Sequence, residues 1–169
     1  MAVNKYRSGI FTLAILIFLL QWISFLFVFT LLVESLRILT ILFFFVIVFS
    51  FIRQVASAEE VSFKVIVESI NGYLMLGLAF GTLIALIMYF NPDTYNFPGI
   101  DVANVRQGEN LSSYLYYAFV TLTTLGYGDV VPKLPGTKSL AIFIAVTGQF
   151  YIAIIITTLV SKYLNQKKG

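Results

Sequence analysis

Neither cysteine nor histidine occurs anywhere in the 169 residues of this chain. The first absence excludes disulfides and thiolate metal sites; the second removes the commonest metal ligand and the commonest general base. Charge is scarce as well, since Asp, Glu, Lys and Arg make up 11% of the chain, against about 25% in an ordinary soluble domain. The acidic residues are scattered over loops and form no catalytic constellation, so neither an enzyme nor a cofactor is expected. The net charge of +3 sits at the ends of apolar segments. That placement suits membrane orientation and anionic lipids at a cytoplasmic face rather than nucleic acid.

What abounds is apolar surface: 59% of the residues are hydrophobic and the mean hydropathy is +0.92, which makes the chain an integral protein of the lipid bilayer. After Lys5 and Arg7, residues 11–33 form an uncharged run of spanning length, too long and too bulky at Trp22, Phe25, Phe27 and Phe29 for a signal peptide. Gln21 within it reads as a hydrogen-bonding contact to a neighbouring helix. Glu34, Ser35, Leu36 and Arg37 read as a short connection to a second run, 38–52, giving an antiparallel hairpin. That second run is only about 22 Å long as a helix, so Arg37 and Arg53 must snorkel to opposite headgroup layers. Neither run carries the arginine array of a voltage sensor. A polar linker, 54–64, with Glu59 and Glu60, divides the chain into residues 1–60 and 61–169.

A third spanning helix is predicted over 65–91, with a weak Lys64–Glu68 pair on its first turns. Gly77 and Gly81 at small-xxx-small spacing invite another helix, the last one, to approach closely. Residues 92–110 read as an exposed loop, 111–123 as a helix too short to span with Asn110 as its N-cap, and 139–163 as the last spanning helix.

Before that last helix lies Thr121-Leu122-Thr123-Thr124-Leu125-Gly126-Tyr127-Gly128-Asp129, too polar to cross a bilayer by itself. A backbone whose carbonyls all face one axis must alternate between right- and left-handed conformations, and only glycine enters the left-handed region freely. Gly126 and Gly128 supply such positions. Four copies around an axis would set the carbonyls of Leu125, Gly126 and Tyr127, with the carbonyl and hydroxyl of Thr124, in place of the water around a cation. The side chains of Leu125 and Tyr127 would then point back into protein. The competing hairpin, with strands at 119–122 and 130–131, leaves edge groups unsatisfied in lipid, and a phosphate loop would need a following Gly-Lys-Ser/Thr.

The stretch resembles the potassium-channel signature T-x-x-T-x-G-Y-G-D, matched by Thr121, Thr124, Gly126, Tyr127, Gly128 and Asp129. Pro132 and Gly148 fall where that family has its turn and its inner-helix hinge, so the resemblance covers about 69–163 and is to short bacterial members. It implies an all-α membrane protein of four transmembrane helices plus a re-entrant pore helix and an extended filter, assembled as a homotetramer. K+ would be held at Thr124, Leu125, Gly126 and Tyr127, with Gly128 completing the filter and Thr121, Thr123 and Asp129 supporting it. Tyr116 and Tyr117 would form an aromatic cuff reaching Tyr127 or Asp129, unless they are interfacial belt tyrosines. Gly148 reads as hinge or close-packing point, and Ile152 and Ile156, sharing its face, as cavity and gate. Thr157 and Thr158 satisfy their own helix. Leu125 stands where valine is commoner, and Val120 where some members carry glutamate, so inactivation through a carboxyl pair is not expected.

With both termini cytoplasmic in a plasma (inner) membrane, the inner flanks hold Lys5, Arg7, Arg53, Lys64, Lys162, Lys167 and Lys168, against Arg37, Arg106, Lys133 and Lys138 outside. This is the positive-inside bias, and it puts the filter at the outer end of the pore. One filter per chain and no internal repeat imply the homotetramer. Passive K+ conduction is expected; the alternatives are a weakly selective Na+/K+ channel and a non-conducting membrane scaffold or accessory subunit. No ligand-binding domain is expected after the last helix, and no gating stimulus is legible.

Overall fold

The computed structural model describes residues 30–58, 60–99 and 110–166. The expected first helix up to residue 29, with Gln21 and Trp22, lies outside the described residues, as do Glu59, Asp101, Arg106, Gly108 and Glu109.

The first described helix, α1 (Thr30–Ser57), runs straight through the expected connection at 34–37. Nothing there breaks a helix, because Glu, Leu and Arg are good helix formers and neither glycine nor proline is present. Its 28 residues extend for about 42 Å, and the apolar part of it, Ile38–Ser57, has 20 residues, about 30 Å, which matches a ~30 Å hydrocarbon core. The second helix, α2 (Phe63–Phe90), ends where Asn91 donates its backbone N–H to the Ile87 carbonyl, immediately before Pro92. Near its start Lys64 and Glu68 form the expected surface pair at 3.8 Å.

The segment after α2 is not the open loop expected from sequence. Pro92–Thr94 makes a 3-10 turn started by the Asn91 side chain, which accepts from the Asp93 N–H. A two-residue strand, β1 (Tyr95–Asn96), then pairs antiparallel with β2 (Val131–Pro132). Lys133 donates its N–H to the Thr94 carbonyl at 2.9 Å, and the Thr137 hydroxyl donates to the same oxygen at 3.2 Å. Thr94, Tyr95 and Phe97 are thereby buried, because the aromatic rings find partners on the short helix α3 (Leu111–Leu122). The last helix, α4 (Pro135–Gln166), starts four residues earlier than expected, with Pro135 at its first position, where the missing N–H costs nothing.

Inside lipid there is little hydrophobic drive to bring helices together, so close packing at small residues decides the arrangement. Gly77 and Gly81 on α2 are approached by Phe119 and Leu115 of α3, one turn apart and in antiparallel order, and not by the last helix. The last helix reaches α2 at Gly72 instead, where the Tyr151 hydroxyl lies against the glycine and donates to the Ser69 carbonyl at 2.8 Å. Phe80 of α2 packs edge-on against Phe45 of α1 and Phe143 of α4, and the core centres on Phe80, Ile84, Leu122 and Ile144. At the other end of α4, the Lys162 ammonium donates to the carbonyls of Val55, Ala56 and Ala58 at the C-terminal end of α1. It supplies donors and positive charge to groups that have no partner within the helix.

Three of the described helices are long and apolar enough to cross a membrane: Ile38–Ser57, Phe63–Phe90 and Pro135–Leu164. Large apolar side chains such as Phe49, Phe63, Ile142 and Phe150 face outward along them, an exposure that suits lipid or further protein rather than water.

Candidate functional site

The short helix α3 begins at Asn110, but the asparagine side chain does not cap it. With φ −102° and ψ 13° the residue is not extended, so its side chain is not turned back toward the helix N–H groups. Its carbonyl instead accepts from Ser113 and Tyr114.

The far end of α3 is where the signature stretch begins, and its geometry is a helix stop of the Schellman kind. The Leu125 N–H donates to the Val120 carbonyl at 2.9 Å and the Thr124 N–H to the Thr121 carbonyl at 3.0 Å, the paired bonds of that motif. The motif demands a left-handed residue between them, and Thr124 takes that place with φ 59°. A β-branched residue there costs about 1–2 kcal/mol, which is why glycine usually holds the position. The Thr124 hydroxyl donates to the Thr123 carbonyl at 2.6 Å. Beyond it, Gly126 at φ 57° and Gly128 at φ 79° are also left-handed, whereas Leu125 and Tyr127 are not. Handedness thus alternates over five residues, and the left-handed position that sequence reasoning missed is Thr124.

The other expected site residues divide into those the fold gathers at this stretch and those it does not. Tyr116 donates its hydroxyl to Asp129 Oδ2 at 2.7 Å and stacks its ring on Tyr127, with centroids 6.4 Å apart and planes within 9°. Tyr117, about 100° further round the helix, points the other way. It is buried edge-on against Tyr95 and Phe97, and within the chain it does not form the cuff expected of it. Burial pushes its hydroxyl pKa up, opposed by a hydrogen bond with the Thr121 side chain. Thr123 bonds back to the Phe119 carbonyl at 2.8 Å. Leu125 and Tyr127 are 57% and 66% exposed rather than turned into protein.

The Tyr116 hydrogen bond holds the Asp129 carboxyl below its ordinary value of 3.8, and the same bond pushes the Tyr116 hydroxyl up to about 12. For a depressed carboxyl the contribution is fully present above the ordinary value and is lost as pH falls through the folded one. In Tyr116→Phe the Asp129 carboxyl is therefore expected to titrate at higher pH than in the wild type. Side-chain carboxyl 13C shifts measure both midpoints, and equal midpoints would refute the assignment of the bond.

On α4 the row expected from Gly148 through Ile152 to Ile156 splits. Steps of four residues drift about 40° each, so Gly148 joins the packed face of Ile144, Tyr151 and Ile155 while Ile152 and Ile156 stay open. Gly148 lies directly against the Leu122 carbonyl, so of its two expected roles the close-packing one is visible. The same carbonyl accepts from the Tyr73 hydroxyl at 3.3 Å. Thr157 and Thr158 bond back to Ala153 and Ile154, as expected. One residue was overlooked: Gln149 Nε2 donates to the Thr124 hydroxyl at 3.3 Å. The signal for it was a polar side chain in the middle of an apolar spanning run.

The family profile described as "Ion channel" matches residues 72–165, which take in most of α2, all of α3, the alternating stretch and nearly all of α4. Two-pore potassium channel 2 of Arabidopsis thaliana is 31% identical over 106 residues, 63% of this chain and 21% of its own length. Two-pore potassium channel 5 of the same plant is 32% identical over 97 residues, 57% of this chain and 20% of its own. The potassium voltage-gated channel protein Shal of Drosophila melanogaster is 31% identical over 96 residues, 54% and 15% respectively. The matched segments thus span about a fifth or less of the length of these curated relatives. No solved structure matches the chain. With more than half of its residues inside the profile, and with long apolar helices packed around a short helix and an alternating loop, this multi-pass membrane protein belongs to the ion channel family.

Proposed function

We propose that this chain is the pore-forming subunit of a potassium-selective channel, four copies of which enclose one filter and conduct K+ passively down its electrochemical gradient. The observation that carries this reading is the alternating backbone from Thr124 to Gly128 at the end of a helix too short to span. Alternation turns successive peptide planes so that a row of carbonyls faces one side, as replacing the hydration shell of a cation requires. Thr124, Leu125, Gly126 and Tyr127 contribute that row, and Gly128 with Asp129 ends it. The C-terminal end of α3 adds partial negative charge at the inner side, which favours a cation there. Relatives that are potassium channels by name support K+ as the ion.

A single strand cannot surround an ion, and the exposure of Leu125, Tyr127 and the outer apolar faces of α4 leaves room for neighbouring copies. The homotetramer sits in the plasma (inner) membrane with both termini cytoplasmic and its basic inner flanks near anionic lipids. Ile152 and Ile156 line the cavity and close it by dewetting, and Gly148 is the hinge of that movement.

Flux into liposomes carrying the purified protein tests the reading, with potassium and sodium gradients compared and barium as blocker. Potassium flux that dominates and is blocked by barium is the expected result. Equal sodium flux would make the pore a weakly selective cation channel, and no flux from a verified tetramer would favour a non-conducting membrane scaffold.

A further inference from the structure

Gln149 stands beside the left-handed Thr124, and neither the filter row nor the cavity isoleucines account for it. Its place is fixed from both sides. Gly148 rests against the Leu122 carbonyl, and Tyr151 is tied to Ser69, so the intervening turn of α4 presents residue 149 to the end of α3. There the amide Nε2 donates to Thr124 Oγ1 at 3.3 Å. The hydroxyl's only proton already goes to the Thr123 carbonyl, so a partner on the remaining side must be a donor, and an amide nitrogen meets that demand.

A hydroxyl oxygen has two lone pairs. With one taken by Gln149, a single lone pair of the Thr124 oxygen is left for a cation. We propose that Gln149 is a positioning residue for the innermost cation site, fixing the Thr124 hydroxyl and weakening that site's hold on a dehydrated cation so that ions leave it readily. The inference rests on the potassium-channel reading, in which four Gln149 side chains surround the axis below the filter. Weak hold at each of several sites is what throughput demands, since a site that binds too well does not release its ion.

Barium reads the site directly, because it has a radius close to that of potassium and twice its charge. In Gln149→Leu, similar in volume and without the donor, barium is expected to bind the tetramer about 5- to 10-fold more tightly, the size of one modest electrostatic contact. Gln149→Asn keeps the amide but is one methylene too short to reach, and is expected to behave like the leucine variant. In a Thr124→Ala background, where no hydroxyl remains to be held, adding Gln149→Leu is expected to change barium affinity no further. Calorimetric titration of the purified tetramer supplies these affinities, and gel filtration confirms that each variant assembles. Unchanged barium affinity in Gln149→Leu, or the same increase with and without the Thr124 hydroxyl, overturns the proposal while leaving the channel reading intact. A wild-type protein that carries no potassium flux sinks the channel reading first, and this inference with it.

Discussion

Gly126→Ala is expected to abolish potassium flux while leaving the fold of the chain almost untouched. An added Cβ at Gly126 meets nothing within 4 Å, so the substitution creates no collision. The penalty lies in the backbone, which sits at φ 57°. An alanine held there costs about 1–2 kcal/mol per chain, which in the proposed tetramer sums to roughly 4–8 kcal/mol. The strained peptide relieves itself by rotating to negative φ, which swings a carbonyl out of the proposed row. A bias of about 5.5 kcal/mol already moves a two-state equilibrium from almost all of one form to almost all of the other. Flux should therefore fall by two orders of magnitude or more, with a melting temperature within a few degrees of wild type. Liposome flux beside thermal unfolding followed by circular dichroism makes the comparison, and near-normal flux would reject the assignment of Gly126 to the filter.

Gly148→Val should have the opposite signature, a loss of stability before any question of conduction arises. A Cβ at Gly148 would overlap the Leu122 carbonyl oxygen, a backbone atom of a fully buried residue that already accepts from Tyr73. Neither side can yield without parting α3 from α4. Overpacking of this kind costs about 1–3 kcal/mol and more where backbone is the obstacle, and the displaced helix carries the start of the alternating stretch with it. Gly136 is the internal control, since it also lies in α4 but has open space around it. Gly136→Ala is expected to stabilise by about 0.4–1 kcal/mol through lost chain entropy. Denaturant titration in detergent distinguishes the two. If Gly148→Val proves as harmless as Gly136→Ala, the contact between α3 and α4 is not the one described.

Lys162 ties the far end of the channel module to a helix outside the region that matches the ion channel profile. Most of α1 packs along α2, and this cap adds a link from the last turns of α4 to the end of α1. The last helix, α4, is thus anchored at three levels: Gly148 on α3, Tyr151 on α2 and Lys162 on α1.

The sequence by itself determined the membrane character, the order of the long and short helices from residue 38 onward, and the stretch whose glycines must turn left-handed. Each of these depends on the composition of one continuous segment: apolar length for a span, brevity for α3, absence of a Cβ for Gly126 and Gly128. Tertiary structure alone decided which surfaces meet. The approach of α3 to Gly77 and Gly81 and the burial of Tyr117 against Tyr95 both turn on partners distant in sequence. Thr124 was missed for a different reason, since threonine avoids the left-handed region until a helix stop with two short-range backbone bonds, helped by its own hydroxyl, holds it there. Gln149 was visible only as an isolated polar residue, because its meaning depends on Thr124, 25 positions away, which a neighbouring glycine lets come close. Local propensity settles what a segment becomes; the choice of partner is settled by packing, where one missing Cβ decides whether two backbones can touch.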